Sequence, residues 1–158
     1  MSTNLPIVPM RSAVLFPGMS LPIAAARPQT LRGIEAALRD PGHRVFVVAQ
    51  RDDGEDITPE GLYTVGTIAT LGQVQRGLGG ARVALEGIER GVALRVTTTD
   101  GYLVATVSPA GELQPLDPND SAFVALHREV RARAAELAKK RGLPEEAVDQ
   151  MLEQIPDP

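Results

Sequence analysis

Two regimes of apolar spacing divide the chain near residue 118. Before that point, short apolar runs rich in Val, Ile and Thr are broken by Pro and Gly, the pattern of strands joined by tight turns. Beyond it Ala, Glu, Arg and Lys dominate, and apolar residues recur three and four apart, as on one face of a helix. The stretch 112–118, Glu-Leu-Gln-Pro-Leu-Asp-Pro, is the expected join, because its prolines discourage either regular structure.

In the first regime, Pro6, Pro9, Pro17 and Pro22 interrupt one apolar stretch. Proline cannot donate to a sheet ladder, which predicts edge strands or strand ends there. Phe16-Pro17-Gly18-Met19 places Pro and Gly at the two central positions of a type II turn. A helix is predicted over 28–39, with Pro28 in its first turn and Leu31, Ile34 and Leu38 on one stripe. Val45–Ala49 has the length and branching of a buried strand, and the acidic run 52–56 is too polar for anything but a loop. Strands are then predicted over 63–74, 81–86, 92–96 and 102–107. Residues 75–80, with Gly77, Gly79 and Gly80, form the first hairpin loop and Asp100-Gly101 a second turn. Six or so short strands with one inserted helix imply an α+β fold on a small, partly closed β-barrel.

The second regime opens at Asn119, Asp120 and Ser121, all good helix caps, and continues through Phe123, Leu126, Val130, Ala134 and Leu137 at helical spacing. Gly142 is a natural stop, and Pro144 begins a shorter helix. The pair is expected to form a C-terminal helical hairpin. Two domains are therefore predicted, 1–118 and 119–158.

Composition narrows the chemistry mainly by exclusion. The net charge is −4, and the only aromatics are Phe16, Phe46, Tyr63, Tyr102 and Phe123. A single-stranded nucleic-acid site needs a basic groove with stacking platforms, so no nucleic-acid partner is expected. No run approaches the ~20 apolar residues of a membrane span, the N-terminus lacks a basic region followed by an apolar one, and cysteine is absent. A cytoplasmic, reducing setting is the expectation, with no membrane partner. A P-loop requires a lysine after glycine, and the only lysines are Lys139 and Lys140 inside a predicted helix. His43 and His127 are too few for a zinc site, and the acidic loop lacks calcium-loop spacing. No catalytic residue, metal ligand or cofactor is assigned. What remains is surface: Phe16, Met19 and Leu21 on the proline-broken segment, with Arg27, Gln29 and Arg32 expected on the exposed side of the first helix. These six are the candidate substrate contacts. The competing reading places Phe16, Met19 and Leu21 in the barrel core.

The same prolines carry a resemblance. Leu5-Pro6-Ile7-Val8-Pro9-Met10-Arg11, followed by Phe16-Pro17, Met19 and Leu21-Pro22-Ile23, resembles the opening of Lon-protease N-terminal domains. The likeness continues in order through Arg27–Leu38, Val47–Asp52, Leu62-Tyr63-Thr64-Val65-Gly66-Thr67-Ile68-Ala69 and Leu85–Arg90. Ala24-Ala25-Ala26 and Pro28-Gln29 depart from the bulkier and charged residues common there. The resemblance implies a PUA-like barrel followed by helices, protein substrates that are misfolded or tagged, and assembly into a homo-hexamer, for which helix 120–141 is the favoured contact. It implies that an ATP- and magnesium-dependent motor and a Ser-Lys serine-protease dyad lie downstream. Ile155-Pro156-Asp157-Pro158 is similar to the start of a motif that runs on into another helix, so a fragment of a longer protease is expected. The alternative is a stand-alone Lon-like module binding a ligand or degron.

Overall fold

The computed structural model of the chain describes residues 2–111, 117 and 119–154. These form two compact units, residues 1–112 and 113–158. The expected join at 112–118 lies outside the described residues apart from Asp117.

The first unit contains β1 (Thr3–Met10), β2 (Ser20–Ala25), α1 (Pro28–Arg39), β3 (Arg44–Ala49), β4 (Val65–Gly77), β5 (Gly80–Thr99) and β6 (Tyr102–Pro109). The strand order is β2-β5-β4-β3-β1-β6, and β5 also pairs with β6. Hydrogen-bonded pairing thus passes from β5 through β4, β3, β1 and β6 back to β5, with β2 outside the ring as an edge strand.

Expectation and structure part at the prolines of β1. Pro6 and Pro9 lie inside a strand flanked on both sides, by β6 and by β3. The strand tolerates them because it changes partner midway. Thr3–Pro6 pair antiparallel with β6, and Ile7–Met10 pair parallel with β3. Each proline therefore has a neighbour on one side only, and its missing N–H costs no ladder bond. Two other expectations are corrected. The first hairpin has no six-residue loop: pairing runs to Gly77 opposite Gly80, leaving Leu78 and Gly79 as the turn, with Gly79 at φ 85°. The segments 81–86 and 92–96 are one twenty-residue strand, β5, whose register shifts at Gly87/Glu89 and again at Ala93/Arg95. Single inserted residues of this kind bend a strand without ending it.

β3 is buried on both faces, as its unbroken apolar run requires. Val45 and Val47 join one core cluster with Val8, Ile34, Leu71 and Leu85, where α1 covers the sheet. Phe46 and Val48 join a second cluster with Leu5, Ile7, Ile68, Leu103 and Val107. α1 starts at Pro28 and buries Thr30, Gly33, Ile34 and Ala37. Gly33 lies against the backbone of Ile7, where an added Cβ would sit 3.4 Å from the carbonyl oxygen. Asp100 (φ 50°) and Gly101 (φ 81°) both take the left-handed conformations of a type I′ turn between β5 and β6.

In the second unit, α2 (Ser121–Lys140) precedes α3 (Glu145–Glu153). Gly142, at φ 79°, closes α2: its N–H donates to the Lys139 carbonyl, and that of Leu143 donates to Ala138. This pair of bonds is a Schellman motif, which a glycine at that position allows without steric cost. Glu129, Arg133, Glu136 and Lys140 form exposed ion pairs along the helix, each worth a few tenths of a kcal/mol.

Candidate functional site

The segment between β1 and β2 turns as its sequence requires. Gly18 has φ 78°, and the Met19 N–H donates to the Phe16 carbonyl at 3.1 Å. The turn lies on β5 rather than standing free. The Gly18 N–H donates to the Gly87 carbonyl at 2.9 Å, and the Gly87 N–H donates to the Met19 carbonyl at 2.8 Å. Gly87 has no side chain to hold them apart: a Cβ there would collide with the Phe16 carbonyl oxygen. From beneath, the Thr67 hydroxyl donates to the Leu15 carbonyl at 2.6 Å in a buried bond. Leu15 is buried, so this segment is anchored by its middle and presents its tip.

That tip carries exposed apolar side chains. Phe16 is 51% exposed and Met19 43%, with Val14 at 56% before them and Ile88 at 49% beside Gly87. Single exposed apolar residues are ordinary, but several gathered on one anchored segment mark a binding site more often than chance. Ile88 was not expected from the sequence. It is the extra residue where Ile68 pairs with Glu89 and Ala69 with Gly87. The available signal was Gly87 itself, since an isolated glycine in a strand marks a bulge or a close backbone approach.

The six candidate residues do not form one surface. Phe16 and Met19 share the exposed turn. Leu21 is half-buried and packs against the core cluster under α1, so it supports the turn more than it contacts solvent. Arg27 is not on the exposed side of α1. It precedes the helix as its N-cap residue, and its guanidinium donates to the Gln50 side-chain oxygen at 2.7 Å and to the Pro9 carbonyl at 3.4 Å. Burial is the main cause that lowers its pKa, and the charge of Arg11 adds to it. Gln29 is half-buried. Arg32 is exposed but belongs to another region, since its guanidinium borders Gly101 in the β5–β6 turn.

The acidic loop is solvated; within it the Gly54 N–H donates to Asp52 at 3.0 Å, and the Gly54 carbonyl accepts from the Gln50 side-chain amide at 3.1 Å. Among the described residues no three His, Cys, Asp or Glu side chains converge as metal ligands would, and no helix is long and apolar enough to cross a membrane.

Replacing Thr67 with valine keeps the shape and removes the donor to Leu15. A buried carbonyl without its partner costs about 1–3 kcal/mol. The urea midpoint is expected to fall accordingly for Thr67→Val, and less for Thr67→Ser, which retains the hydroxyl. Equal midpoints for Thr67→Val and the parent chain would show that this bond does not hold the segment.

Comparison with known proteins gives one consistent result. Residues 4–158 match the sequence model of the ATP-dependent protease La (LON) substrate-binding domain. Lon protease 1 of Sorangium cellulosum is 45% identical over 152 residues, which is 94% of this chain and 19% of that protein. The Lon protease of Flavobacterium johnsoniae is 33% identical over 147 residues, 91% of this chain and 18% of that protein. The chain thus spans about a fifth of the length of these relatives. Among solved structures, the N-terminal domain of Mycobacterium avium complex Lon protease superposes with a TM-score of 0.68 at 21% identity, covering 94% of this chain and 74% of that one. A Lon N-terminal domain protein from Xanthomonas campestris gives 0.55 at 23% identity, covering 85% and 82%. These two likenesses concern the fold alone. By the extent of the sequence match, this chain belongs to the family of LON substrate-binding domains.

Proposed function

We propose that this chain is the substrate-recognition and assembly domain of an ATP-dependent serine protease, and that it captures misfolded, damaged or regulatory proteins by their exposed apolar segments. The observation that carries this reading is the apolar tip of Val14, Phe16, Met19 and Ile88, exposed yet anchored through Gly87 and Thr67. An anchored surface spends little ordering entropy on binding. Met adapts to varied partners, as a broad-range receptor needs. We read the closed course of strand pairing as the small PUA-like barrel that presents this tip.

In this reading the ATP- and magnesium-dependent motor and the Ser-Lys dyad belong to the longer protease, which works in the cytoplasm as a homo-hexamer. Six weak sites held together raise retention far above that of one, by effective concentration. α2 is the proposed assembly contact.

The test is capture by immobilised chain of a permanently unfolded protein against its native form. The unfolded form should be retained and the native form should pass. Met19→Asp places a charge in the contact and is expected to weaken retention about tenfold, the effect of roughly 1.4 kcal/mol, while the melting temperature stays near that of the parent. Met19→Leu should restore it. Equal retention of both forms, or of neither, would sink the proposal.

A further inference from the structure

A cavity of about 400 Å³ lies in the first unit where the end of β1, the end of β2 and the start of α1 meet. Its lining combines apolar side chains, Met10, Ile23 and Ala25, with polar ones, Arg11, Arg27 and Thr30.

Three features of the polar residues favour a bound negative charge. First, two guanidiniums share the cavity, and neither has a carboxylate partner among the described residues. Arg27 is held in place through Gln50 and Pro9, so it cannot swing out to water. Burial first, and the charge of Arg11 second, lower its pKa. Second, the first hydrogen bond of α1 runs from the Leu31 N–H to the Arg27 carbonyl, so the Gln29 and Thr30 amides precede the ladder. No side chain caps this end, and its first turn holds no acidic residue to balance the partial positive charge of the helix. Third, Thr30 is only 5% exposed, and its hydroxyl has no hydrogen-bond partner. Native proteins rarely bury a hydroxyl so, and one left unpaired is a donor available to a bound group.

We propose that this cavity binds the C-terminal carboxylate of a polypeptide, with the carboxylate toward Arg11, Arg27 and the start of α1 and the last side chain against Met10, Ile23 and Ala25. This rests on the reading that the chain engages protein substrates. The space exceeds what a lone inorganic anion fills, and apolar side chains line it beside the arginines, so the ligand joins an anionic head to a small apolar body. β2 leads to the same place with its outer edge unpaired, giving an approaching chain backbone groups to bond. The acidic whole chain, at −4, gives no general attraction for anions, so selectivity must come from this one basic locus.

The experiment measures anisotropy of a short labelled peptide ending in valine, added to the full chain. One arm carries a free carboxylate, a second is amidated, and a third is amidated with an internal aspartate. Inorganic phosphate serves as competitor. The free acid is expected to bind about tenfold tighter than either amide, the effect of one charge-assisted bond. Arg11→Ala, at an exposed position, should abolish that preference without unfolding the chain. Equal binding of acid and amide, or a preference that survives Arg11→Ala, overturns the proposal. So does tight binding of the internal aspartate peptide, which would mean any carboxylate serves, or efficient displacement by phosphate, which would make the site one for free oxyanions. Met19→Asp separates this idea from the one above it: the acid preference should persist in that variant while retention of unfolded protein falls.

Discussion

Phe46→Ala is expected to lower the unfolding free energy of the first unit by about 3–5 kcal/mol, the usual cost of emptying a buried aromatic site. Phe46 is fully buried, and it joins strands that are distant in sequence, packing with Leu5, Ile68, Leu103 and Val107. The neighbourhood cannot collapse to fill the space, because the surrounding strands hold one another through continuous pairing. A domain of this size has only about 5–15 kcal/mol in total, so the variant should sit near the edge of folding at 37 °C. Equilibrium urea unfolding at 25 °C checks the figure. A loss below about 1 kcal/mol would mean that the core relaxes as a looser body than the pairing implies. Gly66 borders the same ring: a Cβ there would collide with the Val47 carbonyl oxygen and lie 2.7 and 2.9 Å from carbons of the Phe46 ring, of which trimming Phe46 relieves the second contact only. Gly66→Ala combined with Phe46→Leu should therefore cost less than the sum of the two single changes.

Gly87→Ala should damage stability and capture together. The new Cβ would meet the Phe16 carbonyl carbon at 3.2 Å and the Thr67 Cγ2 at 3.3 Å, with the Phe16 oxygen closer still. Backbone atoms cannot rotate away, so the turn must lift and strain both bonds between Gly87 and the 18–19 peptide units. Overpacking of this kind costs about 1–3 kcal/mol. The exposed tip moves with the turn, so retention of unfolded protein should fall as well. Gly18→Ala distinguishes space from conformation. Gly18 has nothing within 4 Å of an added Cβ but holds φ at 78°, so its cost is that of the left-handed backbone, about 1–2 kcal/mol. If Gly87→Ala proved milder than Gly18→Ala, close approach would not be what seats the turn.

Local chemistry was legible in the sequence wherever one residue decides the geometry. Pro28 opens α1, Gly18 shapes the turn before β2, Asp100-Gly101 makes the last hairpin, and Gly142 stops α2. Each acts through its own dihedral angles or its own missing atom, so neighbours need not be known. Pairing is another matter. That β1 exchanges β6 for β3 between Pro6 and Ile7 depends on where four other segments lie, and nothing in the run Leu5–Met10 encodes it. The same limit hid Ile88, because a bulge adds one residue without changing composition or period enough to register. Arg27 was misread for a related reason. Helical spacing placed it on an exposed face, but the residue ahead of a helix follows the incoming chain, and Gln50 awaited it from a strand end 23 residues away.

The pairing of Thr3 with Val107 has a temporal consequence. β1 leaves the ribosome before β6, the partner that closes one half of it, which is made about a hundred residues later. At 5–20 residues per second, that wait is roughly 5–20 s. Until then Leu5 and Ile7 have no complete shelter, and half of the strand's main-chain groups are open to any passing extended segment. Synthesis therefore exposes this unit, proposed to receive unfolded chains, to the hazard it would relieve in others, and late-arriving Tyr102–Pro109 is the piece that ends the danger.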